Sequence, residues 1–169
     1  GDVAVVRGKM PRTVPTYDGD PTWPSEDEYD VSYWSLCVEE ALVTGRVDVC
    51  LNDEQVPLDD DRYYTIAISM PDARPDNAVD QCGVAWMQHS PRGDGSNRKI
   101  KSDRPFIPDS SGESLLLMRN KNPVPAFDQS IFDIEVPGSG PEVMGEYFPT
   151  IQYYSTAEFE ALGCPVKES

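Results

Sequence analysis

Cys37 and Cys50 flank a Thr-Gly turn in "YWSLCVEEALVTGRVDVCLND", residues 33 to 53, where they could hold a metal, run redox chemistry or clamp two strands. A zinc site needs further Cys or His at coordinating spacing, yet Cys82 and Cys164 are distant and His89 is the sole histidine. A thioredoxin-like site needs C-x-x-C, which is absent. The clamp is the reading that register supports. If 42–45 forms a four-residue loop with Gly45 in the left-handed region, Ala41 opposes Arg46 and Cys37 falls directly opposite Cys50. Cross-strand Cβ atoms are close enough there for a disulfide. Cys82 and Cys164 then pair by elimination, tying the end of the chain to "CGVAWM" at 82–87.

Other catalytic constellations are sparse. One histidine is too few for a cupin-type cluster or a two-histidine, one-carboxylate iron site. There is no G-x-S-x-G elbow, P-loop or dinucleotide fingerprint, and a Ser-His-Asp triad would have to use His89 without a supporting local motif. His89 reads as an exposed side chain at a loop edge shortly before Pro91. Carboxylates are abundant enough to supply a glycosidase-like pair, but in so acidic a chain their abundance selects none of them.

Calcium is the ion the sequence favours. Asp18, Asp20, Glu26, Asp27, Glu28 and Asp30 offer hard oxygen ligands within one loop, and Asp59, Asp60 and Asp61 form a second group. Neither follows the EF-hand pattern, and charge runs are more often hydrated surface. The Arg-Gly-Asp at 92–94 lies in a loop already rich in those residues, where coincidence explains it.

These residues must be positioned by strands. Sixteen prolines and twelve glycines punctuate short apolar or alternating runs, the pattern of many strands joined by turns. Strands are expected at 3–7, 32–42, 46–52, 63–69, 83–88, 114–119 and 144–154. Helices are expected only at 126–132 and at 156–162, where Ser155 or Thr156 can cap and Gly163 ends the run. The fold expected is mainly β: an antiparallel β-sandwich or jelly roll with one or two short helices near the C-terminus, forming a single domain over 1–169. In the hairpin, Trp34, Leu36 and Val38 share an apolar face with Val49 and Leu51 and should enter the core; Trp86 should join them and Trp23 should not. The same register sets Glu39 against Asp48, unfavourable unless an Arg or a cation intervenes. Three polar loops, 16–30, 70–81 and 89–113, are the natural places for function.

A formal charge of −16 repels phosphate backbones and anionic lipid, which argues against nucleic acid as a partner. No apolar run is long enough to span a bilayer, and membrane insertion is not expected. An even cysteine count points to an oxidising compartment, extracellular or periplasmic.

The segments "VVRGKMP" (5–11), "YWSLC" (33–37), "DEQVPLDDDRYYTIAIS" (53–69), "CGVAWM" (82–87), "LLLMRN" (115–120) and "VMGEYFPTIQYYSTAEFEALGC" (143–164) together resemble the C-terminal half of an uncharacterised family of secreted bacterial β-rich proteins. The resemblance covers almost the whole chain and implies a longer precursor with a signal peptide and a preceding β-rich half. It brings no activity and no catalytic residue. The chain departs from that pattern in the acidic loop 16–30 and the basic loop 89–104. The function expected is an extracellular binding or structural module, a component of a cell-surface assembly or a glycan-binding domain, with a protein or carbohydrate partner. The alternative is a hydrolase or lyase that uses carboxylates and Tyr on an extracellular carbohydrate. A pocket of convergent carboxylates would favour the enzyme, and an open edge or flat aromatic surface the module.

Overall fold

The computed structural model describes residues 2–19, 28–40, 45–90 and 114–166, with the backbone alone at Asp18. Among these residues seven strands run in chain order: β1 (Val3–Lys9), β2 (Tyr33–Glu39), β3 (Val47–Asn52), β4 (Tyr63–Ser69), β5 (Val84–Gln88), β6 (Leu115–Lys121) and β7 (Thr150–Tyr154). They form a four-stranded sheet ordered β5-β4-β1-β7 and a three-stranded sheet ordered β3-β2-β6. Period-2 alternation decides how the sheets meet. Val6 of β1, Ile66 and Ile68 of β4, and Ala85 and Met87 of β5 pack against Trp34, Leu36 and Val38 of β2, with Val49, Leu51, Leu116 and Met118 around them. The expected β-sandwich is thus observed. It departs from expectation in one pairing, because β4 and β5 run parallel. Parallel neighbours need a crossover, which the loop 70–83 supplies.

That crossover builds a third layer on the outer face of the larger sheet. There Val3, Val5, Ala67, Val84 and Ala78 enclose Phe159, which lies in helix α2 (Thr156–Glu160) counted after α1 (Gly140–Met144). Ser155 caps α2 through a reciprocal capping box with Glu158, and Gly163 has φ of 87° past its end. Asn77 donates from Nδ2 to the Phe159 and Gly163 carbonyls, and the Cys82–Cys164 disulfide staples the layer.

The second disulfide joins Cys37 to Cys50 directly across β2 and β3, the register read from the sequence. The expected clash of Glu39 with Asp48 does not occur. A bulge between Val38 and Glu39 slips the register by one and puts Glu39 opposite Val47. Asp48 instead meets Arg46 at 3.5 Å, and Arg119 on β6 lies 3.7 Å from Glu39 while donating to Cys37 Sγ. Two other expectations need correction. Residues 126–132 make turns rather than a helix, because Ser130 and Asp133 close a capping box around the short 3-10 turn Ile131–Asp133. The strand expected from 144 begins only at Thr150: Pro141 starts α1, Gly145 turns at φ 54°, and Pro149 lacks the N–H a ladder needs.

Candidate functional site

The sandwich has four strands facing three, and the mismatch shows on one side. There β7 is the edge of the larger sheet and β6 the edge of the smaller. Ile151 and Tyr153 pair with Val6 and Ala4, so they share the inward-facing side of the sheet, yet they remain 46% and 71% exposed. Between these edges lies a cavity of about 340 Å³. Its apolar lining comes from Ala4, Val38, Ile68, Leu116, Met70, Ile151 and Tyr153, and its polar lining from Asp2, Ser69, His89 and Ser114. Met70, Ile151 and Tyr153 are all among the exposed large apolar residues, and all three converge here.

His89 is not the exposed side chain expected. It is half-buried, its N–H donates to the Ser69 carbonyl and so extends the β4–β5 ladder, and its Nε2 lies 2.9 Å from Ser114 Oγ. Ser69 also accepts from the Trp86 indole, whose ring stacks under the Arg74 guanidinium at 4.5 Å. A second, more open cavity on the opposite side of the sandwich is lined by Leu51, Gln55, Arg74, Ala85 and Trp86 among others. Trp34 is buried against Tyr64 as expected; Trp86 is only half-buried, and Trp23 lies outside the described residues.

Only part of the acidic loop falls within the described residues. Asp20, Glu26 and Asp27 lie outside the described residues, as does the Arg-Gly-Asp at 92–94, and nothing is described of the Asp18 side chain. Glu28 is exposed. Asp30 is buried, and both its oxygens accept from Arg12: the backbone N–H on one, Nε and Nη2 on the other. That pairing pins the 10–16 segment beside β2. Asp59 works as a turn cap, accepting from the N–H groups of Asp61 and Tyr63 and pairing with Arg7 at 3.0 Å. Among the described residues no group of three His, Cys, Asp or Glu is arranged to hold a metal ion.

Among the described residues carboxylates do not converge on either cavity: Asp2 lines the first and Asp80 the second. Burial pushes the Asp53 carboxyl up, but its Oδ1 accepts from the Trp34 N–H and it serves the start of β2. Glu146 is held below the usual carboxylate range by hydrogen bonds from Lys9 and Tyr63. Arg7 in turn sits over the Tyr63 ring at 5.1 Å, which covers a face a sugar would need. No described helix is long and apolar enough to cross a membrane.

The cleft residues Met70, Ser114, Ile151 and Tyr153 were not singled out by sequence reasoning. The one signal was that "TIQYY" at 150–154 carries neither charge nor proline, although it forms an edge. Comparison of the chain with protein-family models, with curated proteins and with solved structures finds no match.

Proposed function

We propose that the chain is an extracellular binding module that takes an extended segment of a protein partner into the seam between β6 and β7. The observation that carries this reading is the convergence of Met70, Ile151 and Tyr153 on one cavity beside β7, a short edge strand that itself carries no charge or Pro and has no second partner strand among the described residues. Edge strands are usually protected by Lys, Pro, bulges or short length, because their free N–H and C=O groups template further pairing. In β7 a partner strand would gain main-chain hydrogen bonds, and alternate side chains would drop into the apolar cavity. The charge of −16 favours a basic segment and speeds its arrival. Two disulfides fit an extracellular setting. Carbohydrate is the weaker fit: the described aromatic contacts are tilted or edge-on, and among the described residues Tyr153 alone of the Phe, Tyr and Trp side chains lines the cavity.

The test is selection of a random displayed decapeptide library on the whole chain. Enriched peptides should alternate apolar residues and carry Lys or Arg. They should lose at least tenfold in affinity on Tyr153→Lys and weaken with salt. Peptides that bind the Tyr153→Lys protein equally well would overturn the proposal.

A further inference from the structure

The same cleft holds a nucleophile and a base, and we infer that Ser114 and His89 hydrolyse esters with an apolar acyl group bound against Leu116, Ile151 and Tyr153. The inference rests on the cleft being the ligand site, and it adds chemistry to it. Ser114 Oγ lies 2.9 Å from His89 Nε2, the reach a serine nucleophile and its general base require. When the neutral imidazole carries its proton on Nδ1, the hydroxyl donates to Nε2. Both groups stand on the scaffold: His89 continues the β4–β5 ladder through its bond to the Ser69 carbonyl, and Ser114 directly precedes β6. Both line the cavity, and Asp2 is the acid in the same lining.

The steps balance with water as the co-reactant. Ser114 Oγ attacks the ester carbonyl carbon as its proton passes to His89 Nε2; the C–O bond to the alcohol breaks, and the alcohol leaves with that proton. Water then attacks the acyl-serine, His89 takes its proton and returns it to Ser114, and the carboxylic acid is released. The apolar walls suit an alkyl or aryl acyl chain, and the exposed Tyr153 marks the open side through which it enters.

The experiment uses the full chain and an alkyl fluorophosphonate, which phosphonylates activated serines. One phosphonyl group should add, and peptide mapping should place it on Ser114. Ser114→Ala should abolish the adduct. His89→Gln, which keeps a hydrogen-bonding side chain but removes the base, should slow labelling about 100-fold, the low end for general-base loss. Near-UV circular dichroism identifies any variant that fails to fold. For these, prior occupancy of the wild-type cleft by a selected peptide gives a second measurement and should block labelling. No adduct on folded wild type, an adduct on another serine, or equal labelling of folded His89→Gln would overturn the inference. If peptides still bind in a Tyr153-dependent way while Ser114 stays unlabelled, the chemistry falls and the binding module stands; labelling without peptide binding gives the reverse.

Discussion

Replacing Cys82 and Cys164 by alanine should cost more than replacing Cys37 and Cys50, although both bridges lie within the same β architecture. The two bridges close loops that do not overlap, with sequence separations of 82 and 13, so their effects on the unfolded chain are independent. By loop-closure entropy the longer bridge contributes about 4.5 kcal/mol and the shorter about 3 kcal/mol. For a chain of this size the longer loss lowers Tm by about 10–15 °C. It should not undock the third layer, because Phe159 is fully buried against the sheet and Asn77 still ties the 70–82 crossover to the end of α2. Urea unfolding followed by tryptophan fluorescence measures both quantities, and the urea slope should rise in each variant as the unfolded chain expands. The reasoning fails if Cys82→Ala/Cys164→Ala loses less than its counterpart. It also fails if hydrogen exchange shows α2 open in native buffer, which would make the bridge and not Phe159 the anchor.

Two further predictions probe buried polar groups. A Cβ at Gly8 would stand 2.7 Å from the Tyr64 hydroxyl, which has no hydrogen-bond partner among the described residues; Gly8→Ala should cost about 1–3 kcal/mol, and part of that should return in the Tyr64→Phe background. Tyr64→Phe alone should be neutral or slightly stabilising by urea unfolding. For Asp53, burial raises the folded-state pKa above the unfolded value, so folding favours its protonated form and its ionisation detracts from stability as pH rises. Asp53→Asn keeps an acceptor for the Trp34 N–H, so its stability relative to wild type should improve from pH 3 to pH 7; a difference that shrinks with pH would show the opposite shift.

Local features of the fold were legible because local physics decides them. Residues 63–69 alternate and are bounded by turn residues, and they form β4 with those limits; Ser155 caps α2 as its position suggests. The Cys37–Cys50 pairing was legible from the alternation of Trp34, Leu36 and Val38, but the loop was not as expected: Glu39 lies opposite Val47 and the Glu40 N–H donates to the Arg46 carbonyl, where Ala41 was expected to oppose Arg46, and the bulge restores the pairing at Val38 and Val49. The bulge at Val38/Glu39 was not legible as such, but the like-charge cost that it relieves was, along with the need for an Arg nearby. What sequence could not show depends on pairing between distant segments. Nothing local distinguishes a crossover from a long hairpin in 70–83, so the parallel β4–β5 pair was missed. Ser114 was invisible as a partner for His89 because their contact exists only once β5 and β6 are placed in different sheets. The exposure of Ile151 and Tyr153 likewise follows from three strands facing four, which no period in "TIQYY" announces.

That exposure bears on function through its cost. An uncharged edge strand presenting Ile151 and Tyr153 to water is an aggregation hazard, and a single lysine would remove it. If the strip serves the fold, Ile151→Lys should destabilise the chain by more than about 2 kcal/mol, as buried apolar positions do. If it serves a partner, the lysine can carry its charge into solvent, and stability should stay within about 0.5 kcal/mol of wild type. The second outcome is expected, since Ile151 pairs with Val6 on one side and, among the described residues, has no strand on the other. Static light scattering should then show a higher temperature for the onset of aggregation, alongside an unchanged urea midpoint. A large loss of stability would mean that Ile151 supports the core, and the seam would lose its standing as a binding surface.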